Sequence, residues 1–327
     1  MLNYIRVVPL AAESFGVRSM CTYVETPDTR ILLDAGVSLC PNRFGLPPHP
    51  LEFKAVLEAR KKIAAAAEKA EIITISHYHY DHVTPSFEDW LCNWTEANET
   101  AKQIYEEKTV LAKNSRDHIN HSQRERGWMF QTTAGKYAGK LITADSKTFT
   151  FNNTQIRFSE PVFHGSDNSE LGWVLMAIIE FQGEKFVFAP DVQGPMSTRT
   201  LDIIAKEKPQ LAMVGGPPLY LAGSRVAENQ IQAGLNNLGA VAETIPHVIV
   251  EHHILRDEKW REKTMNLYYR TYKAGHTLQT AAEFTGEKNT FLEAIRKELY
   301  EKHPPSKDFK KWMHMGEEAM RHAKPPL

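Results

Sequence analysis

Cysteine is scarce: Cys21, Cys40 and Cys92 are the only three in 327 residues, an odd number with no CxxC spacing. That argues against a disulfide framework and makes the three thiols small buried hydrophobes of a reducing compartment. No sign of charge prevails, with 39 Lys and Arg against 40 Asp and Glu. A strongly basic, non-specific nucleic-acid binder and an electrostatic membrane anchor are therefore disfavoured, although a local basic groove is not. Long apolar runs are missing too: Val174–Ile179 (VLMAII) falls far short of the ~20 residues a spanning helix needs. MLNYIRVVPL at the start lacks the basic-then-apolar pattern of a leader. Repeats and low-complexity segments are absent. The expectation is a soluble, cytoplasmic protein without membrane contact.

What is present is ordinary for a globular chain: 42% hydrophobic and 24% charged residues, enough to build a sizeable core in one or two domains. Short runs rich in Val, Ile and Phe, separated by turn residues, predict strands. They are Met20–Glu25, Ile31–Leu33, Ile72–Ile75, Trp173–Phe181 with Lys185–Ala189 as a hairpin, Leu211–Val214 and His247–Val250. Helical periodicity over Leu51, Phe53, Val56, Leu57, Ile63 and Ala67, with Pro50 at the first position, predicts a helix to Ala70. Thr290 and Glu293 have capping-box spacing ahead of Phe291, Leu292, Ile295 and Leu299. Trp260, Thr264, Tyr268 and Tyr272 form another stripe, a core face or the interface of a homo-oligomer. Residues 83–146 read as a helix-leaning insertion and 254–327 as a helical extension. A single α/β (α+β) domain spanning 1–327 is the expected organisation.

Chemistry concentrates in His77-Tyr-His-Tyr-Asp-His82, directly after a predicted strand. Three imidazoles and a carboxylate in six residues suit a divalent cation, Zn, Fe or Mn. A strand end can turn His77 and His79 toward one ion while Asp81 and His82 reach a neighbour. Two ions need further ligands at other strand ends, and His164, Asp191, His252 and His253 stand there. Asp34, in Leu-Leu-Asp-Ala-Gly36, is read as an Asx turn or as an acceptor that fixes the tautomer of a ligand histidine.

HYHYDH at 77–82 resembles the HxHxDH signature of the metallo-β-lactamase superfamily, and LLDAG, His164, Asp191 and the late histidines follow in that superfamily's order. Further stretches resemble one archaeal branch over nearly the whole chain: SFGVRSMCTYVET (14–26), NRFGLPPHPLEF (42–53), INHSQRERG (119–127), DVQGP (191–195), GGPPLYL (215–221) and EHHILRD (251–257). The resemblance implies a four-layer αββα sandwich with a binuclear metal site along one edge. By that resemblance His77, His79 and His164 hold the first ion, Asp81, His82 and either His252 or His253 the second, and Asp191 bridges. A strand's period of two would point His252 and His253 to opposite sides, so one of them is expected to bind. Glu251 is a candidate partner of these ligands.

Two cations of this kind generate a bridging hydroxide, which Asp81 would orient as the catalytic carboxylate. The expected enzyme is a binuclear metal-dependent hydrolase of an ester, lactone or amide in a small molecule. Its alternative is a phosphodiesterase or nuclease acting on nucleotides or RNA, and a di-iron redox protein ranks third. Tyr78, Tyr80 and Tyr220 are candidate oxyanion donors. The Asn120–Arg126 segment, with Gln123 and Arg124, is a candidate lid whose amides and guanidinium groups bind the substrate. Arg18 and Arg256 are expected in structural ion pairs.

Overall fold

Alternation along the strands decides what each side chain faces. In the strand Arg30–Leu33, Ile31 and Leu33 belong to one apolar cluster and Leu32 to another; in Ile72–Ile75, Ile72 goes with the first and Ile73 and Ile75 with the second. A strand buried on both faces is therefore the wall between two cores. A computed structural model of the chain describes residues 2–96 and 99–327. Its strands, in chain order, are β1 (Arg6–Pro9), β2 (Thr22–Glu25), β3 (Arg30–Leu33), β4 (Ile72–Ile75), β5 (Thr109–Ala112), β6 (Lys140–Thr143), β7 (Thr148–Phe151), β8 (Thr154–Phe158), β9 (Val162–Phe163), β10 (Trp173–Val174), β11 (Ala177–Phe181), β12 (Glu184–Ala189), β13 (Leu211–Gly215), β14 (His247–Glu251) and β15 (Thr277–Gln279).

The first sheet runs β1-β2-β3-β4-β5-β6 and the second β15-β14-β13-β12-β11-β8-β7, with β9 and β10 pairing as a separate ribbon. Val24, Ile31 and Leu33 of the first sheet meet Ile179, Phe186, Phe188 and Met213 of the second in the central cluster. Helix α1 (Pro50–Lys69) covers the first sheet through Phe53, Val56 and Ile63. Helices α4 (Thr198–Glu207) and α5 (Glu228–Thr244), which follow α2 (Glu99–Tyr105) and α3 (His121–Thr132) in the chain, cover the second through Ile204, Leu238 and Val241. Helix, sheet, sheet, helix is the layer order. β3, β4, β5 and β6 run parallel to one another, as do β12, β13, β14 and β15, so within each set the carboxyl ends open on a common edge.

Three expectations change. The 83–146 segment supplies β5 and β6 to the first sheet as well as α2 and α3. β5 offers only Val110–Ala112 as an apolar run inside a polar stretch, and β6 is a largely exposed edge strand, so neither raises the local apolar density. Trp173–Phe181 is two strands, because β10 pairs with β9 and only β11 forms the hairpin with β12. No capping box forms at Thr290: the Glu293 carboxylate takes the Arg18 guanidinium at 2.6 Å, and the next helix, α9 (Arg296–Lys302), starts three residues later. Before it lie α6 (Trp260–Lys263), α7 (Met265–Lys273) and α8 (Ala281–Thr285), and after it α10 (Lys307–Met313) and α11 (Glu317–His322). The aromatic stripe is split between α6 and α7, with Trp260 buried and Tyr272 exposed. No described helix is long and apolar enough to cross a membrane.

Candidate metal centre

Asp34 follows β3, His77 follows β4, His164 follows β9, Asp191 follows β12 and His252 follows β14. Chain direction brings the ends of β3 and β4 in one sheet and of β12 and β14 in the other to one edge of the sandwich, and the separate β9–β10 ribbon adds His164. Asp34, Asp191 and His252 all have left-handed backbones, with φ of 49°, 53° and 70°. Non-glycine residues hold such conformations only where the surroundings over-determine them, and such places cluster at functional sites.

Asp191 is the hub. Its Oδ2 lies 3.1 Å from His77 Nε2, 3.2 Å from His82 Nε2 and 3.0 Å from His164 Nε2. Its Oδ1 lies 2.9 Å from His252 Nε2 and 3.1 Å from His253 Nε2. His77, His79, His164 and Asp191 form one group with donor atoms all within 4.8 Å of one another; Asp81, His82 and His252 form a second, and Asp191, His252 and His253 a third. Nε2 of His82, His164 and His253 and Oδ1 of Asp191 are buried yet without a hydrogen-bond partner among the described residues. Orphaned buried donors and acceptors are costly, so their convergence on one point fits a cation that takes the lone pairs of the His82 and His164 nitrogens and of the Asp191 oxygen. The cluster is able to bind metal.

Electrostatics agree. Burial drives the His77 imidazole down to about 4, helped by His82. His79 and His253 are also pushed well below the usual histidine range, by burial first and then by His77 and Arg256 respectively. Neutral imidazole is the form that ligates. At His82 and His252 burial opposes the proton, but Asp191 together with Asp34 at His82 and Glu13 at His252 outweighs it and raises both, His252 to about 9. The same histidines keep Asp81 and Asp191 ionised against burial. Positive charge is wanted here, and a cation meets that demand as protons do.

The ring nitrogens turned away from the centre fix the tautomers. Asp34 Oδ2 accepts from His82 Nδ1 at 2.8 Å, and also from the Ser76 hydroxyl. Glu13 Oε2 accepts from His252 Nδ1 at 3.0 Å. A carboxylate only accepts, so both Nε2 lone pairs face the centre. His253 is the reverse case: Arg256 can only donate, and its Nη1 lies 2.9 Å from His253 Nδ1. The His253 proton therefore sits on Nε2, which makes this ring a donor toward the centre and His252 the ligand-type member of the pair. The period-two expectation for the doublet fails because Glu251 ends β14 and both histidines start a 3-10 turn, His252–Arg256, which brings both rings to Asp191.

Other candidates fall elsewhere. Tyr78 is buried and its hydroxyl donates to Lys113 O at 2.6 Å, away from the centre. Gln123 braces α3, donating to Leu171 O at 2.7 Å and accepting from Tyr78 N. Arg124 is exposed and reaches Arg116 O, lining a different cavity with Trp128. Tyr220 carries the Arg43 guanidinium 4.4 Å above its ring. Glu251, pushed up to about 7 by burial, binds the backbone N–H groups of Ser14, His252 and Ala281 and touches no ligand ring. Tyr80 does face the site, beside Asp81, His79 and His164, on a cleft of ≈ 400 Å³. Glu13, Ser76, Gln193 (3.4 Å from His164 Nδ1) and Arg256 are the partners that the sequence did not reveal. Ser76, Gln193 and Arg256 stand close in sequence to His77, Asp191 and His253, but nothing in the spacing says that they meet a ring, and Glu13 is isolated from every candidate. Arg18 does sit in an ion pair, with Glu293, and Arg256 in one with Glu13.

No family model matches the chain. It is 44% identical over 296 residues to the UPF0282 protein MJ1629 of Methanocaldococcus jannaschii, covering 90% of this chain and 96% of that one. With the UPF0282 protein PYRAB09800 of Pyrococcus abyssi it shares 42% identity over 297 residues, 90% of this chain and 92% of that one. Among solved structures, the metallo-beta-lactamase fold protein YhfI from Bacillus subtilis matches with a TM-score of 0.51 at 12% identity, over 88% of this chain and 98% of that one. Unliganded yeast PDE1 matches with a TM-score of 0.50 at 14% identity, over 85% and 98%. At these identities the structural matches speak for the fold, and the fold is the metallo-β-lactamase sandwich.

Proposed function

Since the chain belongs to the UPF0282 family and has a metallo-β-lactamase fold, we propose that it is a binuclear metal-dependent hydrolase of an ester, lactone or amide bond in a small molecule. The convergence of unsatisfied buried ring nitrogens on Asp191 is the observation that carries this reading. His77, His79 and His164 would hold one ion, Asp81, His82 and His252 the other, and Asp191 both, with zinc the first candidate for each. When bound, such ions lower the pKa of water toward neutrality and polarise the oxygen under attack.

The remaining work falls to the chain. Asp81 is half-buried on the cleft and kept ionised by His82 and His252, so it can accept a hydrogen bond from the attacking water and orient it. His253 turns its Nε2–H to Asp191 Oδ1, 3.1 Å away, and so steadies that carboxylate between the ligand sets. Asp34 and Glu13 keep the His82 and His252 rings aimed. A second reading, phosphodiester cleavage, is favoured by one observation: four arginines line the cleft.

Metal analysis of protein purified without added metal tests the reading, with about two equivalents per chain expected. His79→Ala and Asp191→Ala should lose metal and turnover while keeping the far-ultraviolet spectrum of the parent. A panel of lactones, carboxylic esters, bis-(p-nitrophenyl) phosphate and short RNA separates the two readings. Turnover of esters or lactones alone supports the first, and turnover of the phosphodiesters alone supports the second.

A further inference from the structure

Arg18, Arg126, Arg256 and Arg321 line the cleft in front of the His/Asp cluster. Three are committed to carboxylates. Arg18 is held by Glu293 at 2.6 Å through both of its contacts, Arg256 by Glu13 at 2.8 and 2.6 Å, and Arg321 by Asp89 and Glu317, each at 2.7 Å. Arg126 differs: among the described residues no carboxylate pairs with it, and its guanidinium lies 4.8 Å from the centroid of the Tyr80 ring. A guanidinium resting on an aromatic face keeps its N–H edge free for a planar or tetrahedral anion.

The position of Arg126 relative to the cluster is fixed from two sides. Tyr80, its platform, lies between His79 and Asp81 in the chain. Gly127, its neighbour on α3, packs so closely on the motif that an added Cβ would lie 2.9 Å from Tyr78 Cε2. Gln123 pins the same helix to the Tyr78 amide and to Leu171 O. The half-buried Arg126 thus stands as an uncommitted cation at a set place in a small cleft, whose other walls include the apolar Leu39, Pro41 and Leu171.

We propose that Arg126 binds an anionic group of the substrate, and that the substrate is a small molecule bearing a carboxylate or phosphate remote from the bond to be cleaved. This rests on the reading of the cluster as a hydrolytic centre. The cleft's volume, ≈ 400 Å³, lies in the range of small-molecule sites, and its apolar walls suit a short hydrocarbon spacer between the two ends. The Asp81 and Asp191 carboxylates leave the Arg126 guanidinium as the place for an extra negative charge.

Calorimetric titration of the protein as purified, its metal content recorded, tests the proposal without needing turnover. The ligands are linear dicarboxylates from malonate to pimelate, the monocarboxylates of equal length, and the matching ω-phosphonocarboxylates. In the parent protein the second anionic group should tighten binding about tenfold at the best length, the worth of one charge-assisted contact. Arg126→Ala should remove that gain, and Arg126→Lys should keep part of it, since the charge remains and the fork is lost. A larger gain for the phosphonates assigns the remote group as phosphate, and a gain equal or larger for the dicarboxylates assigns it as carboxylate. No gain at any length, or a gain that survives Arg126→Ala, overturns the proposal. Metal-free protein, or a panel without turnover, would instead count against the hydrolytic reading.

Discussion

Asp34 is completely buried, and its carboxylate is used three times: by the Ser76 amide, by the Ser76 hydroxyl and by His82 Nδ1. Ser76 in turn lies 2.9 Å from His77 Nδ1, so one carboxylate orders two rings of the centre. Asp34→Asn keeps the shape and the tolerance for a left-handed backbone but removes the charge. Such partners typically carry a 10–100-fold effect on metal affinity, and about that loss is expected, read by competition with a chelating dye. The residues that gather in the cluster are legible in the sequence, because His and Asp recur just after predicted strands. Their supports are not: Glu13 reaches His252 across 239 positions of sequence, and a single glutamate carries no mark of the ring it will meet. The 120–126 segment offers Arg124 and Arg126 alike because α3 is polar nearly all round, and only packing shows that Arg126 is the one that turns to the cleft.

At the scale of elements, two loops must touch backbone to backbone. A Cβ on Gly36 would lie 2.3 Å from Val83 N and 2.4 Å from His82 C, so the loop after β3 passes directly against the end of the HYHYDH turn. Neither neighbour is a flexible side-chain tip that could move aside. Gly36→Ala should therefore destabilise the fold by about 3 kcal/mol, the upper end for overpacking. Denaturant midpoints measure this, and metal stoichiometry should fall too, because relief of the clash moves His82. The elements built from long or strongly patterned runs were legible, α1 and β3, β4, β13 and β14 among them. Those set by pairing were not: β6 is an exposed edge strand, and β10 separates from β11 only because β9 is there to pair with it.

Across the whole molecule, the C-terminal segment crosses from the second sheet to the helix that covers the first. After β15 and α8 the chain passes Glu293, which grips Arg18 in the cleft wall, and then enters α9 at Arg296. The Arg296 side chain is fully buried and donates to both oxygens of Glu52 on α1, at 2.7 and 2.8 Å, and to Leu46 O. Phe309 and Trp312 of α10 then close on Phe53, and Arg321 of α11 reaches Asp89. The extension is thus fastened at its entry by one buried ion pair. Removing one partner of such a pair strands the other charge without water, which costs about 3–5 kcal/mol, whereas neutralising both costs far less. Arg296→Met should lose that amount in guanidinium unfolding. Glu52→Gln combined with Arg296→Met should recover most of it, because glutamine can still accept the His49 N–H that Glu52 caps at 2.9 Å. The single variant should bind ligands more weakly, since Arg18 and Arg321 belong to the cleft, yet retain its metal, because no residue of the 293–322 segment approaches the His/Asp cluster's donor atoms. A single variant that loses less than about 1 kcal/mol, or a double variant no better than the single, would place the fastening of the extension elsewhere.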